Sequence, residues 1–287
     1  MGRLYVVATP IGNLKDITYR AVEVLNSCSL IAAEDTRNTS ILLNKYGIKT
    51  KLISYHKFNE SERAKVLISY ILEKNMDISL ISDAGTPCIS DPGYKIVKLA
   101  REKGIEVIGI PGPSAIITAL SISGLPINQF SFYGFLPKEK NKRERILKEI
   151  KKRKIETFVL YESPKRILEL AELILKEFPE AQVCFCCELT KLFEKSFYGN
   201  IKDVLEKLKN EPNVQLGEYT VVIYNTYKDG EETIKISIEA LLVDIVVKEK
   251  CTLKDAIELV SKNYNISKRE VYKKSIELKK IPELWGQ

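Results

Sequence analysis

Three short runs rich in glycine, proline and hydroxyl-bearing residues carry most of the chemical interest of this 287-residue chain. The first is Thr9-Pro10-Ile11-Gly12-Asn13-Leu14. The second runs from Ser82-Asp83-Ala84-Gly85-Thr86-Pro87 to Ser90-Asp91-Pro92-Gly93, and the third is Pro111-Gly112-Pro113-Ser114-Ala115. Glycine lets a ligand approach the main chain, and proline fixes the shape of the loop around it. Gly112, Pro113 and Ser114 stand at an expected helix start, where unpaired N–H groups suit a carboxylate. None of the runs matches G-x-G-x-x-G or G-x-x-x-x-G-K-[ST], which disfavours dinucleotide and nucleoside-triphosphate chemistry. One such run alone reads as a connector. Three together read as the rim of one crevice.

The elements that must position these loops follow from the hydrophobic pattern. Continuous apolar runs at 4–8, 30–33, 51–54, 78–82 and 106–110 predict strands, separated by helical patterns at 18–28, 36–46, 59–74 and 94–103. Asn59 and Glu62 have the spacing of a capping box for the third helix. Such alternation predicts a mostly parallel sheet covered on both faces, with ligands beyond the carboxyl ends of its strands. The three loops follow the first, fourth and fifth strands. A second alternating block is expected, with strands at 130–135, 157–161, 182–188 and 219–224 and helices at 164–178 and 202–210. Ser163 reads there as a helix cap, with Pro164 at the first helical position. The tail predicts three short helices at 237–249, 252–264 and 267–279, the last two opened by Thr252…Asp255 and Ser267…Glu270. Their spacing suits a helix-turn-helix or a plain mini-bundle. The expected division is an α/β domain at 1–112, a second at 113–227 and a helical tail at 233–287.

Charge is concentrated in one place. The chain carries a net +7, and segment 138–154 accounts for all of it, with ten basic and three acidic residues. That stretch reads either as a site for an anionic partner such as nucleic acid or as a solvated helix face with pairs such as Glu144–Lys148. No apolar run approaches the length of a membrane span, and no signal-peptide core opens the chain, so a cytoplasmic protein without membrane contact is expected. The six cysteines form no disulfide or zinc pattern; Cys184, Cys186 and Cys187 read as residues of a buried strand. With His56 the sole histidine, no metal site is expected.

Taken together, Thr9–Asn13, Ala33-Glu34-Asp35-Thr36-Arg37, the Ser82–Gly93 loop and Pro111–Ala115 resemble the bacterial small-subunit ribosomal RNA cytidine 2′-O-ribose methyltransferases. Gly134-Phe-Leu-Pro137, Tyr161-Glu-Ser163 and Glu188-Leu-Thr-Lys191 extend the resemblance to about Tyr224. This family lies within the tetrapyrrole-methylase-like superfamily. The resemblance implies two α/β domains with S-adenosylmethionine in the cleft between them, and a homodimer. It implies cofactor contacts from Pro10, Gly12, Asn13, Asp83, Ala84, Gly85, Thr86, Ser114 and Ala115, closed from the second domain by Phe132, Gly134 and Tyr161. It implies methylation of the decoding-site cytidine of 16S ribosomal RNA in the small ribosomal subunit.

Transfer to a ribose hydroxyl needs alignment and gains from a base or cation beside the hydroxyl. The candidates are Glu34, Asp35, His56 and Lys191; capping of a helix by Asp35 and solvation of a loop histidine are the plainer readings of two of them. Glu162, Glu188 and Lys191 stand at strand ends, where rim solvation also explains them. RNA phosphates are expected at Arg37, Lys142, Arg143 and Arg145, with Lys268, Arg269, Lys273 and Lys274 of the tail as further contacts. The rival readings are a methylase of a tetrapyrrole or corrin precursor and a non-catalytic nucleic-acid-binding module.

Overall fold

The computed structural model describes residues 2–153, 156–226, 237–264 and 266–278. The chain divides into two units, residues 1–226 and 227–287.

The first sheet of the larger unit contains β1 (Leu4–Val7), β2 (Leu30–Ala33), β3 (Leu52–Ser54), β4 (Ile78–Ile81) and β5 (Val107–Ile110). Their order is β3-β2-β4-β1-β5, and every pairing is parallel. Helices α1 (Tyr19–Ser27), α2 (Thr36–Lys45), α3 (Glu60–Lys74) and α4 (Tyr94–Glu102) connect them. Alternate strand residues bury into opposite cores. Leu30 and Ala32 meet Leu67, Ile71 and Ile96 on one face, while Ile31 and Ala33 meet Leu25 and Leu43 on the other. Continuous apolar strands therefore report burial on both faces, as the pattern predicts. Because β4, β1 and β5 are neighbours, their following loops emerge side by side.

The second sheet has the order β6-β7-β10-β8-β9, from β6 (Ser131–Phe135), β7 (Thr157–Glu162), β8 (Gln182–Cys187), β9 (Lys195–Asn200) and β10 (Tyr219–Tyr224). Only β6 and β7 pair in parallel; the other pairings are antiparallel. Strand β9 has no counterpart among the expected elements, because an edge strand exposing Lys195, Ser196 and Tyr198 lacks an apolar run. Helices α6 (Lys140–Lys152), α7 (Ile167–Glu177) and α8 (Ile201–Lys209) cover one face, and α5 (Ala115–Ile122) covers the other. Cys184, Cys186 and Cys187 are buried in β8 with free thiols. Ile11 of the first half packs against the α5 core, joining the two sheets.

Two expected caps are corrected. Asn59 makes no side-chain cap to α3; its amide accepts from the His56 N–H at 2.9 Å and donates to the Ser54 carbonyl. Ser163 likewise makes no cap hydrogen bond, and Pro164–Arg166 forms a 3-10 turn before α7 begins.

The smaller unit contains α9 (Ile238–Glu249), α10 (Leu253–Asn263) and α11 (Lys268–Leu278) around Leu242, Ala256, Val260 and Val271. The Thr252–Asp255 capping box is present in full. Position 279, the expected end of the last helix, and Lys154 of the basic segment lie outside the described residues. Among the described residues, no helix is long and apolar enough to cross a membrane, and no cluster of three potential metal ligands occurs.

Candidate active site

The loops after β1, β4 and β5 are brought together. Thr9 and Gly85 exchange main-chain hydrogen bonds of 2.9 and 3.0 Å, and the Thr9 hydroxyl donates to the Ser82 carbonyl. Gly85 has φ +74°, and a Cβ there would lie 3.4 Å from the Ile11 side chain and 3.8 Å from the Pro113 carbonyl. A left-handed backbone at the meeting point of three loops is what selects glycine at this position. Ser114 caps α5, its hydroxyl accepting from the Ile117 N–H.

These loops form one wall of a cavity of about 390 Å³. Ile11, Ala84, Gly85, Thr86, Ser114 and Ala115 line it from the first side, continued by Ile89, Ser90 and Asp91. Phe135, the Tyr161–Pro164 turn, Leu189 and the segment 218–220 line it from the second sheet. The cavity thus combines main-chain donors at a helix start, an apolar middle and an aromatic wall.

Several expected contacts are placed elsewhere. Pro10, Gly12, Asn13, Asp83, Phe132 and Gly134 do not line the cavity. Gly12 faces the second sheet: an added Cβ would sit 2.4 Å from Lys191 Cγ and 2.9 Å from Thr190 Oγ1, so this glycine permits contact between chain segments. Asn13 accepts from the Lys15 N–H and caps a 3-10 turn, Leu14–Asp16. The Asp83 carboxylate accepts from the Asp35 N–H at 2.9 Å and the Asn38 amide at 3.1 Å, tying the β4 loop to the start of α2. In β6 a bulge between Phe132 and Gly134, the latter at φ +62°, shifts the register. Phe132 and Phe135 consequently both pack on Tyr161, at 5.0 and 5.4 Å between ring centres. Phe135, not Phe132, reaches the cavity.

The candidate bases separate by environment. Asp35 caps α2 and pairs with Arg37 at 2.6 Å, and the hydrogen bonds from Arg37 hold its carboxyl down at about 2. Glu34 moves the opposite way, raised by burial and then by the neighbouring Asp91 and Asp83. Asp91 lines the cavity and is raised by burial and by Asp83. Burial works to lower Lys191, but its 2.9 Å hydrogen bonds to Glu188 and Glu218 hold the ammonium above its ordinary value, so it stays charged at neutral pH. His56 does not reach the cavity; its Nδ1 is buried without a partner and its Nε2 lies 3.3 Å from the Asn59 amide. Tyr161 is pushed up to about 12, by burial first and then by Asp91 and Glu218.

Asp91 and Ser90 carry no spacing signal beyond their loop. Glu60, however, holds that loop: its buried carboxylate accepts from the Gly93 N–H at 3.0 Å and the Lys95 N–H at 3.3 Å at the start of α4. The Glu188–Lys191 segment opposite is strained, with Glu188 and Thr190 at φ +54° and +67°. Such backbone clusters at functional sites.

The basic helix divides between surface and core. Arg37 is 89% exposed in its side chain, and Lys142 and Arg145 are exposed with ion partners Glu139 and Glu149. Arg143 is 1% exposed and cannot meet a phosphate, because its position on α6 faces the core with Leu147 and Ile150. Glu144 pairs with Lys176 on α7 instead of Lys148. Glu162 is also buried, at 1%, so rim solvation does not describe it.

Two sheets flanked by helices thus enclose one cleft, lined from both sides, with three loops at adjacent strand ends on its first wall. The model of the family Tetrapyrrole (Corrin/Porphyrin) Methylases matches residues 3–205. The solved uroporphyrin-III C-methyl transferase of Thermus thermophilus, complexed with S-adenyl homocysteine, is similar at TM-score 0.52 and 17% identity over 78% of this chain and 97% of that one. That likeness is one of fold. The ribosomal RNA small subunit methyltransferase I of Escherichia coli O157:H7 is 41% identical over 277 residues, covering 96% of this chain and 95% of the relative. The protein of that name from Hydrogenobaculum sp. is 46% identical over 222 residues, covering 77% of this chain and 95% of the relative. The chain belongs to the ribosomal RNA small subunit methyltransferase I family of tetrapyrrole-type methylases.

Proposed function

We propose that this protein transfers the methyl group of S-adenosylmethionine to the ribose 2′-hydroxyl of the decoding-site cytidine of 16S ribosomal RNA. The observation that carries the reading is the cavity at the meeting of three loops, in a chain 41% identical to a ribosomal RNA methyltransferase over 96% of its length. The residues present suit the cofactor. The opening N–H groups of α5 at Ser114 and Ala115 suit a carboxylate, and the Gly85 cradle leaves space beside the main chain. Ile11, Ile89, Leu189, Phe135 and Tyr161 suit the apolar and aromatic parts of the molecule. When bound, S-adenosylmethionine supplies a methyl group already activated by its sulfonium.

The protein's share of the reaction is alignment, exclusion of water and management of one proton. Walls from two sheets hold both reactants in a fixed relation, which alone accounts for several kcal/mol of barrier. Asp91 is the carboxylate placed to take the hydroxyl proton. It lines the cavity, and burial and Asp83 raise its affinity for a proton. Lys191 does not line the cavity; held charged by Glu188 and Glu218, it ties the segment after Leu189 to Glu218 of the cavity wall. RNA phosphates lie along the exposed cations of α6, Lys142 and Arg145 among them, and beside Arg37. Their surface ion pairs are weak and are exchanged for phosphate at little cost. A homodimer acting in the cytoplasm completes the reading, supported by the family resemblance and the ribosomal substrate.

The test is transfer of a tritiated methyl group from S-adenosylmethionine to unmodified small ribosomal subunits, with uroporphyrinogen and precorrin substrates in parallel. Label in the subunit RNA and none in the tetrapyrroles is expected. Label only in the tetrapyrroles refutes the reading, and no binding of cofactor at all restores a purely nucleic-acid-binding module.

A further inference from the structure

The largest fully buried side chain among the described residues is an arginine. Arg143 occupies the inward stripe of α6 with Leu147 and Ile150, a position that an apolar residue fills in an ordinary amphipathic helix. Its guanidinium meets Glu169 at 2.6 Å and lies 4.0 Å from Glu162. Glu162 accepts from the Ser163 N–H at 2.7 Å and holds Arg166 at 2.5 Å, while Arg166 Nε donates to the Ser163 hydroxyl at 3.1 Å. The four charges cancel. Arg143 Nε and Nη1, Glu162 Oε2 and Arg166 Nη1 are nevertheless buried without a hydrogen bond.

Apolar residues of similar size stabilise a core as well as a buried ion network does, and leave no polar atom unpaired. Stability alone is therefore a poor reason for this arrangement. What the network grips is specific. Tyr161, Glu162, Ser163 and Pro164 form the cavity wall, and the Glu162 carboxylate is bonded to the main chain of that same turn. Arg143 and Glu169 line no part of the cavity.

We infer that Arg143, Glu162, Arg166 and Glu169 are positioning residues for methyl transfer. They fix the turn after β7, and through it the Tyr161 side of the cavity: Glu162 is the wall residue held, and Arg143, Arg166 and Glu169 hold it from outside the cavity. Arg143 thus spends its charge inward on a helix whose other cations face solvent. The inference rests on the cavity being the cofactor site.

The test uses the full chain with S-adenosylhomocysteine as probe, read by isothermal titration, with circular dichroism and thermal melting on the same samples. Arg143→Met keeps the bulk and removes the charge. Glu169→Gln removes the distal charge at a side chain already 37% exposed. The expected result is a Kd raised about tenfold or more in Arg143→Met and less in Glu169→Gln, with native spectra, because small misplacements of a site wall are costly. The double variant loses no more than Arg143→Met alone, as for residues acting through one chain of contacts. Lowered melting with wild-type Kd and kcat/KM in the folded protein overturns the inference. Should Arg143→Met not fold, Glu169→Gln decides by the same criteria. Failure of the unmutated protein to bind the probe overturns the cavity reading, and the inference with it; that failure is recognised because no variant is involved.

Discussion

Gly85 offers a graded perturbation whose steps follow from distances. Its φ of +74° lies in the left-handed region, and its main chain exchanges two hydrogen bonds with Thr9. In Gly85→Ala the new Cβ meets Ile11 at 3.4 Å and the Pro113 carbonyl at 3.8 Å, close but tolerable contact. The cost is then mainly backbone strain, about 1–2 kcal/mol. That lowers melting by several degrees and leaves the cavity nearly open. Gly85→Val adds two further methyl groups at a position lining a cavity of about 390 Å³, where they take the space of the ligand. Strain at a β-branched residue is also larger. Isothermal titration with S-adenosylhomocysteine should show a modest loss for alanine and loss of detectable binding for valine, with both proteins folded by circular dichroism. Wild-type affinity in Gly85→Val would refute the placement of the cofactor at this loop.

Replacing Lys142 and Arg145 by glutamine should flatten the dependence of log affinity for subunit RNA on log salt by about 1.4–1.8, at roughly 0.7–0.9 for each phosphate contact; filter binding at several salt concentrations measures it. Asp91→Asn should lower single-turnover methylation by about 10²–10⁴-fold while S-adenosylhomocysteine binding changes little. The same change has a stability signature. Because the folded-state affinity of Asp91 for a proton is raised, its ionisation costs stability as pH rises through the raised value, so Asp91→Asn should melt higher than wild type near neutral pH and equally in acid. Truncation after Thr226 should leave cofactor binding intact, since the Hydrogenobaculum relative is covered over 95% of its length by only 77% of this chain and α9–α11 pack around their own core.

The strands of the first sheet were legible because burial on both faces leaves an unbroken apolar run, as in Leu30–Ala33 and Ile78–Ile81. The convergence of the three loops was legible for the same reason, once the strands they follow were placed. Edge strand β9 was hidden because half-exposed residues such as Lys195 and Tyr198 show no such run. Within the site, residue type gave away the main-chain cradle at Gly85 but not the direction of side chains. Asp83 and Asn13 look like ligand contacts and are used by nearby N–H groups, whereas Asp91, eight residues further along the same loop, carries no role in the sequence reading and lines the cavity. The β6 bulge exchanged Phe135 for Phe132 at the cavity, an irregularity that strict alternation does not foresee. Arg143 was hidden differently: in a run of cations nothing in composition marks the one turned inward, although its spacing from Leu147 and Ile150 does.

The site of methylation is tested most directly by mass spectrometry of nucleosides from unmodified small subunits incubated with this protein and S-adenosylmethionine. A single new cytidine is expected, carrying its added 14 mass units on the ribose fragment and located by nuclease mapping to the decoding site. The Asp91→Asn enzyme should fail to make it under the same conditions. Added mass on the base fragment, or on a nucleotide outside the decoding site, would refute 2′-O-methylation of the decoding-site cytidine.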